Sequence, residues 1–210
     1  MKKKWTNFVK NNEEIHRKII LASESPRRKA MLKDLNIAFQ EYHSRIDEKI
    51  TNSEDSKIIV TDLAIKKIKA SPIKDRLVIG MDSLVVLGKN IMGKPQDENE
   101  AREMLKRLSG KKHYVITGIA VSFKNRIVSG TESTDVYFRK LKPDEIEWYI
   151  STGEPLDKAG AYAIQGLGRI YVRKINGCYF NVLGFPIFAF QKLLSRFGLT
   201  IYDLISTGGS

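Results

Sequence analysis

The run from Leu77 to Leu87 is apolar apart from Asp82 and Ser83. Burying an isolated carboxylate in such a strand is costly, so Asp82 must be paired, hydrogen-bonded or bound to metal. A satisfied aspartate at a strand bend would meet that demand, and so would a hydrolytic site. Lys94-Pro95 favours the second reading. The turn signal Gly88-Lys89-Asn90 sends the chain back through Ile91 and Met92, which can bring Lys94 near Asp82. A metal-binding carboxylate beside a phosphate-binding lysine is an arrangement suited to hydrolysis.

Two further stretches could do chemistry. In Leu21-Ala22-Ser23-Glu24-Ser25-Pro26-Arg27-Arg28, a strand runs into a helix with Ser25 as N-cap and Pro26 at its first position. Backbone N–H groups at such a terminus favour an anion, and Arg27 or Arg28 could add bidentate hydrogen bonds to phosphate oxygens. An ordinary helix start with solvated arginines is the alternative. The second stretch, Gly153 to Gly168, is punctuated by glycines and carries Gln165, whose amide can both donate and accept and so could read a base edge. No histidine pair has metal-ligand spacing. Neither His16 nor His43 sits in a recognisable site, and His113, at the start of a strand, reads as structural. Ser–His–acid catalysis has no support.

The elements that must position these groups alternate early and pair later. Strands are expected at Lys18–Ala22 and Ile37–Tyr42, around a helix ending near Asn36, with a polar loop from Ser44 to Ser56. A helix from about Ser56 to Ala70 carries an apolar stripe at Val60, Leu63 and Ala64, and Lys67 falls on the same face, aiming a cation inward. Asp97 and Glu100 form a capping-box pattern before a helix bearing Ala101, Met104, Leu105 and Leu108 at helical spacing. A hairpin of His113–Phe123 and Arg126–Arg139 turns at Lys124-Asn125. A short helix at Pro143–Ile150, a strand at Arg169–Ile175 and a helix at Ile187–Phe197 follow. This pattern implies an α/β fold with a mixed, strongly twisted sheet flanked by helices. Residues 18–206 read as one catalytic domain, preceded by an extension (1–17) and followed by a flexible tail (207–210).

With 210 residues, the chain can bury one sizeable core, and 42% hydrophobic with 29% charged residues excludes a disordered or fibrous class. Cys178 is the one cysteine, which excludes an intramolecular disulfide or a cysteine-rich zinc site and fits a reducing, cytoplasmic setting. The longest apolar stretch, Val182 to Phe190, is broken by Gly184 and Pro186 and is far short of a membrane span. A formal charge of +12 attracts phosphates, nucleic acids or anionic surfaces without choosing among them.

Taken together, SESPRR, Asp47-Glu48, Lys67, GMDS, Gly93-Lys94-Pro95, LSGKKHYVITG and GEPLDKAGAYAIQGLG resemble the Maf family of nucleotide pyrophosphatases from about Lys18 to Leu194. The resemblance implies a fold related to that of inosine triphosphatase, with the active site in a central cleft between two lobes. It also implies that Asp82 is the catalytic acidic residue that activates water and that Glu48 joins Asp82 in holding a divalent metal, Mg²⁺ or Mn²⁺. Ser23, Arg28, Lys67 and Lys94 would hold the triphosphate, while Arg27, Ser83 and Gln165 would influence substrate choice. The IQG triplet resembles that of the dTTP/UTP branch. Ser83 stands where threonine is usual, and Ala163 replaces a common glycine.

The reaction so implied is hydrolysis of dTTP or UTP between the α and β phosphates, with a homodimer as a further implication. Pyrophosphatase activity toward 7-methyl-GTP, modified pyrimidine triphosphates or inosine triphosphate is a second reading. A basic nucleic-acid-binding module is a third, and it leaves Asp82 unexplained. The expected partner is therefore a nucleoside triphosphate, with no stable nucleic-acid or membrane association.

Overall fold

The computed structural model describes residues 19–44, 46, 55–71 and 76–206. The expectations for the extension, Lys18, Glu48, most of the Ser44–Ser56 loop and the tail lie outside these residues.

The chain forms a mixed sheet in the order β2-β1-β3-β5-β6-β7, with β4 paired to β3. These strands are β1 (Ile19–Ala22), β2 (Gln40–Glu41), β3 (Leu77–Leu87), β4 (Asn90–Met92), β5 (Lys112–Phe123), β6 (Arg126–Phe138) and β7 (Val172–Asn176). β1 runs parallel to β2 and β3, and the remaining pairs are antiparallel. The helices are α1 (Pro26–Asp34), α2 (Ser56–Lys69), α3 (Glu98–Leu108), α4 (Pro143–Ser151), α5 (Tyr179–Val182) and α6 (Ile187–Ser195). Short 3₁₀ turns break the glycine-rich stretch after α4.

Strand alternation divides the core. Ile19, Leu21, Leu77, Ile79, Met81, Ile119 and Val121 join α1, α3, α4 and α6 in the main cluster, while Ile20, Ala22, Val78 and Ala120 meet Ala64 and Ile68 of α2. Leu84, Val86 and Ile116 continue the α2 side with Ile59, Val60 and Leu63. By parity, Asp82 belongs to the face that carries α2, and Ser83 to the opposite face.

Two glycines let α2 lie unusually close to the sheet. A Cβ on Gly80 would stand 2.4 Å from the Ala64 carbonyl oxygen, and one on Gly118 would stand 2.2 Å from that of Val60. Gly118 is paired across the sheet with Asp82. The missing side chains therefore bring the α2 backbone down beside Asp82, which carries Lys67 to it.

Two strand boundaries and the Glu100 half of a capping box are corrected, and the Ser25 N-cap holds. The second strand is Gln40–Glu41 alone, because Asn36 adopts φ 53 and Ile37 makes an isolated bridge to Ile205. Residues Leu167–Tyr171 form a 3₁₀ turn, and the strand begins at Val172. The cause is the Glu154 carboxylate, which accepts from the Leu167 and Gly168 N–H groups at 2.9 and 3.1 Å. Ser25 occupies the N-cap of α1 without a side-chain cap bond. At α3, Asp97 accepts from the Glu100 N–H at 2.8 Å, as its pattern predicts, but the Glu100 carboxylate turns to the Gln96 N–H at 2.7 Å.

Candidate active site

A cleft of about 650 Å³ opens where the β1–α1 loop, α2, β3, the segment after β4, the 3₁₀ turns and the end of α5 converge. Ser23, Arg27, Arg28, Lys67, Asp82, Ser83 and Lys94 all line it. Residues read from four separate stretches of sequence thus line one cleft. Gln165 differs: it is exposed and does not line the cleft, whereas its neighbour Ile164 does.

The Asp82 carboxylate answers its burial with an ion pair. Lys67 Nζ lies 2.5 Å from Oδ1, and the two side chains are 8% and 14% exposed, so the interaction is little screened by water. Lys67 also reaches the Met81 carbonyl at 3.5 Å. The pair leaves the second Asp82 oxygen for a proton or a cation.

Arg28, from the first turn of α1, is buried. Its Nε donates to the Gly184 carbonyl at 2.8 Å, one Nη donates to Ser23 Oγ at 3.0 Å and the Met81 carbonyl at 2.9 Å, and the other donates to Ser83 Oγ at 2.9 Å. Arg27 is half-buried at the cleft. Burial pulls its pKa below the ordinary arginine value while the nearby Asp157 carboxylate works against that shift. Lys94 remains exposed, a mobile point charge at the rim.

Behind the cleft, Tyr149 and Glu154 organise the glycine-rich stretch. The Tyr149 hydroxyl donates to Glu154 Oε1 at 2.7 Å and accepts from the Ala163 N–H at 3.1 Å. Burial works to raise the Glu154 pKa, but hydrogen bonds from Leu167 N–H, the Tyr149 hydroxyl and Gly168 N–H prevail and hold it below the ordinary carboxylate value. The network fixes the backbone on either side of Ile164 and Gln165.

A family model described as Maf-like protein matches residues 18–197, a span that contains every cleft residue named above. The chain belongs to the Maf-like family. Relatives include the dTTP/UTP pyrophosphatase of Thermosipho africanus, 49% identical over 171 residues, covering 81% of this chain and 88% of that one. The dTTP/UTP pyrophosphatase of Desulforamulus reducens is 45% identical over 190 residues, covering 88% and 99%. Among solved structures, the Staphylococcus aureus Ham1 protein aligns with a TM-score of 0.41 at 14% identity, over 57% of this chain and 71% of its own.

In this Maf-like chain the two departures are accommodated. Ser83 keeps a hydroxyl that bonds Arg28 and lies 2.8 Å from Thr117 Oγ1. Ala163 is not among the positions with positive φ, so its backbone does not require glycine. Asp157, Tyr162 and Val182 to Gly184 also line the Maf-like cleft, and sequence reasoning missed them. So too did it miss Asn181, fully buried, whose amide donates to the Val115 carbonyl at 2.9 Å and to Thr134 Oγ1 at 3.0 Å. An asparagine heading the apolar Val182–Phe190 run carries the signal that marked Asp82, a polar group that burial obliges to find partners.

Proposed function

We propose that this chain hydrolyses dTTP and UTP to the nucleoside monophosphate and pyrophosphate, with Asp82 as the residue that takes a proton from the attacking water. The observation that carries the reading is the Lys67–Asp82 pair at the base of a cleft rimmed by Arg27 and Lys94. Lys67 orients the carboxylate, and the remaining carboxylate oxygen can accept the proton. The cations would stabilise the charge that builds on the departing pyrophosphate. The dTTP/UTP pyrophosphatases of T. africanus and D. reducens, at 49% and 45% identity, support the choice of substrate.

We propose that a hard divalent ion shares its coordination between substrate and the Asp82 oxygen that Lys67 does not take. Among the described residues there is no cluster of three His, Cys, Asp or Glu side chains able to hold a metal alone. Mg²⁺ or Mn²⁺ commonly binds through one or two carboxylates together with phosphate oxygens, and Asp82 with Glu48 would supply those carboxylates. When bound, such an ion neutralises phosphate charge and makes water more acidic.

The test is product analysis across a panel of standard and modified nucleoside triphosphates, with and without EDTA. Preferential conversion of dTTP and UTP to monophosphate and pyrophosphate, abolished by chelation, is the expected result. Preference for 7-methyl-GTP or inosine triphosphate would reassign the base, and release of orthophosphate would refute attack between the α and β phosphates.

A further inference from the structure

We propose that Glu154 is a positioning residue for base selection: together with Tyr149 it clamps both ends of a tight turn and so sets Ile164 as the wall that meets the base. The base half of this rests on the reading above, and the clamp half does not. The turn is Ala163-Ile164-Gln165-Gly166, closed by the Gly166 N–H donating to the Ala163 carbonyl at 3.2 Å. At its start, the hydroxyl of Tyr149, which is fully buried, accepts from the Ala163 N–H at 3.1 Å. Just past its end, the two Glu154 oxygens accept from the Leu167 and Gly168 N–H groups at 2.9 and 3.1 Å. The Tyr149 hydroxyl donates to Glu154 at 2.7 Å and so joins the two ends. Glycines make room for this clamp. A Cβ on Gly166 would stand 2.2 Å from both carboxylate oxygens, and one on Gly168 would stand 2.6 Å from the Tyr149 hydroxyl.

Held at both ends, the two central residues of the turn part company. Ile164 is buried and lines the cleft, whereas Gln165 is exposed outside it. Ile164 continues an apolar lining made by Val85, Val115, Tyr162 and Val182, all members of the main core cluster. An aromatic base takes such a lining, and the charged groups of the cleft take the phosphates. A wall tied down through its backbone cannot retreat, so it favours the smaller pyrimidine ring over a purine. The clamp also requires a carboxylate. Three donors converge on Glu154, which accepts only; in a glutamine one oxygen gives way to an NH₂ group, itself a donor, and at least one of the three bonds is lost.

The first test needs no substrate: amide hydrogen exchange in the free protein, followed by NMR. Leu167 and Gly168 should exchange slowly in the wild type and about tenfold faster in Glu154→Gln, while the amides of β5 exchange alike in both. Fast exchange of the two amides in the wild type, or equal protection in the variant, would overturn the clamp. The second test compares kcat/KM for UTP with that for inosine triphosphate in variants shown by thermal melting to be folded. Glu154→Gln should lower the ratio of the two by about tenfold, with the loss falling on KM for UTP more than on kcat. In an Ile164→Ala background it should lower the ratio no further, because Glu154 acts through Ile164. An equal fall with both nucleotides, or losses that multiply in the double variant, would overturn the positioning role. If Glu154→Gln does not fold, an unchanged ratio in Ile164→Ala is the overturning result. A wild type without preference for UTP would overturn the base half and the substrate reading together, and the exchange rates would still decide the clamp.

Discussion

At the scale of single residues, the site depends on charges that burial has coupled. Replacing Lys67 by Met takes the ammonium from the Asp82 carboxylate, and Asp82→Asn takes this carboxylate from the ammonium. Breaking a buried pair on one side costs on the order of 3 kcal/mol. Denaturant melts should therefore show both single variants weakened and the Lys67→Met/Asp82→Asn double variant less destabilised than the sum of the two. Additive losses would mean that the pair is uncoupled. His113 makes a separate prediction. Its ring lies 2.9 Å from the Tyr162 hydroxyl, and burial holds its pKa down from 6.5 to about 4. The unfolded chain gains a proton as the pH falls through about 6.5, while the folded protein resists until about 4. The neutral imidazole's contribution is thus complete above pH 6.5 and drains away toward pH 4, by up to about 3 kcal/mol. Thermal melts between pH 7 and 4.5 should show this acid slope, shallower in His113→Gln.

At the scale of elements, close approach of α2 to the sheet is what makes the site. Gly118→Ala places a methyl group against the Val60 backbone, where no side chain can yield. A loss of roughly 2 kcal/mol or more in stability is expected, with a larger fall in turnover than in nucleotide affinity as Lys67 moves off Asp82. Unchanged kinetics in the folded variant would contradict that link. This level also shows what sequence could convey. Asp82 and Lys67 were legible because each is a charge on an apolar face, and burial obliges such a charge to find a partner. Arg28 was legible as a cation at a helix start, but its interior bonds were not, since its acceptors at Met81, Ser83 and Gly184 lie 53, 55 and 156 positions away. Likewise, the Arg169–Ile175 strand was read too early because the Glu154 carboxylate that caps Leu167 is 13 residues upstream. Gln165 fitted a base-reading role by chemistry, yet its exposure was set by how the whole glycine-rich stretch folds back on Tyr149 and Glu154.

For the molecule as a whole, the sheet order and the face on which each helix packs decide that residues from Ser23 to Gly184 meet in one cleft. Among the described residues no helix is long and apolar enough to cross a membrane. The formal charge of +12 acts over longer range than any single contact. It should draw a triphosphate in, so KM for UTP is expected to rise as ionic strength increases while kcat changes little, because salt screens approach more than the buried pair. Initial rates across a salt series check this, and a salt-independent KM would limit the charge to solubility. The central claim, that Asp82 activates water in this cleft, is tested most directly by pyrophosphate release from dTTP and UTP in wild type and in Asp82→Asn shown to be folded under the assay conditions. The account predicts turnover of both nucleotides by the wild type and a loss of at least about a hundredfold in the variant. Comparable rates in the two proteins would contradict it.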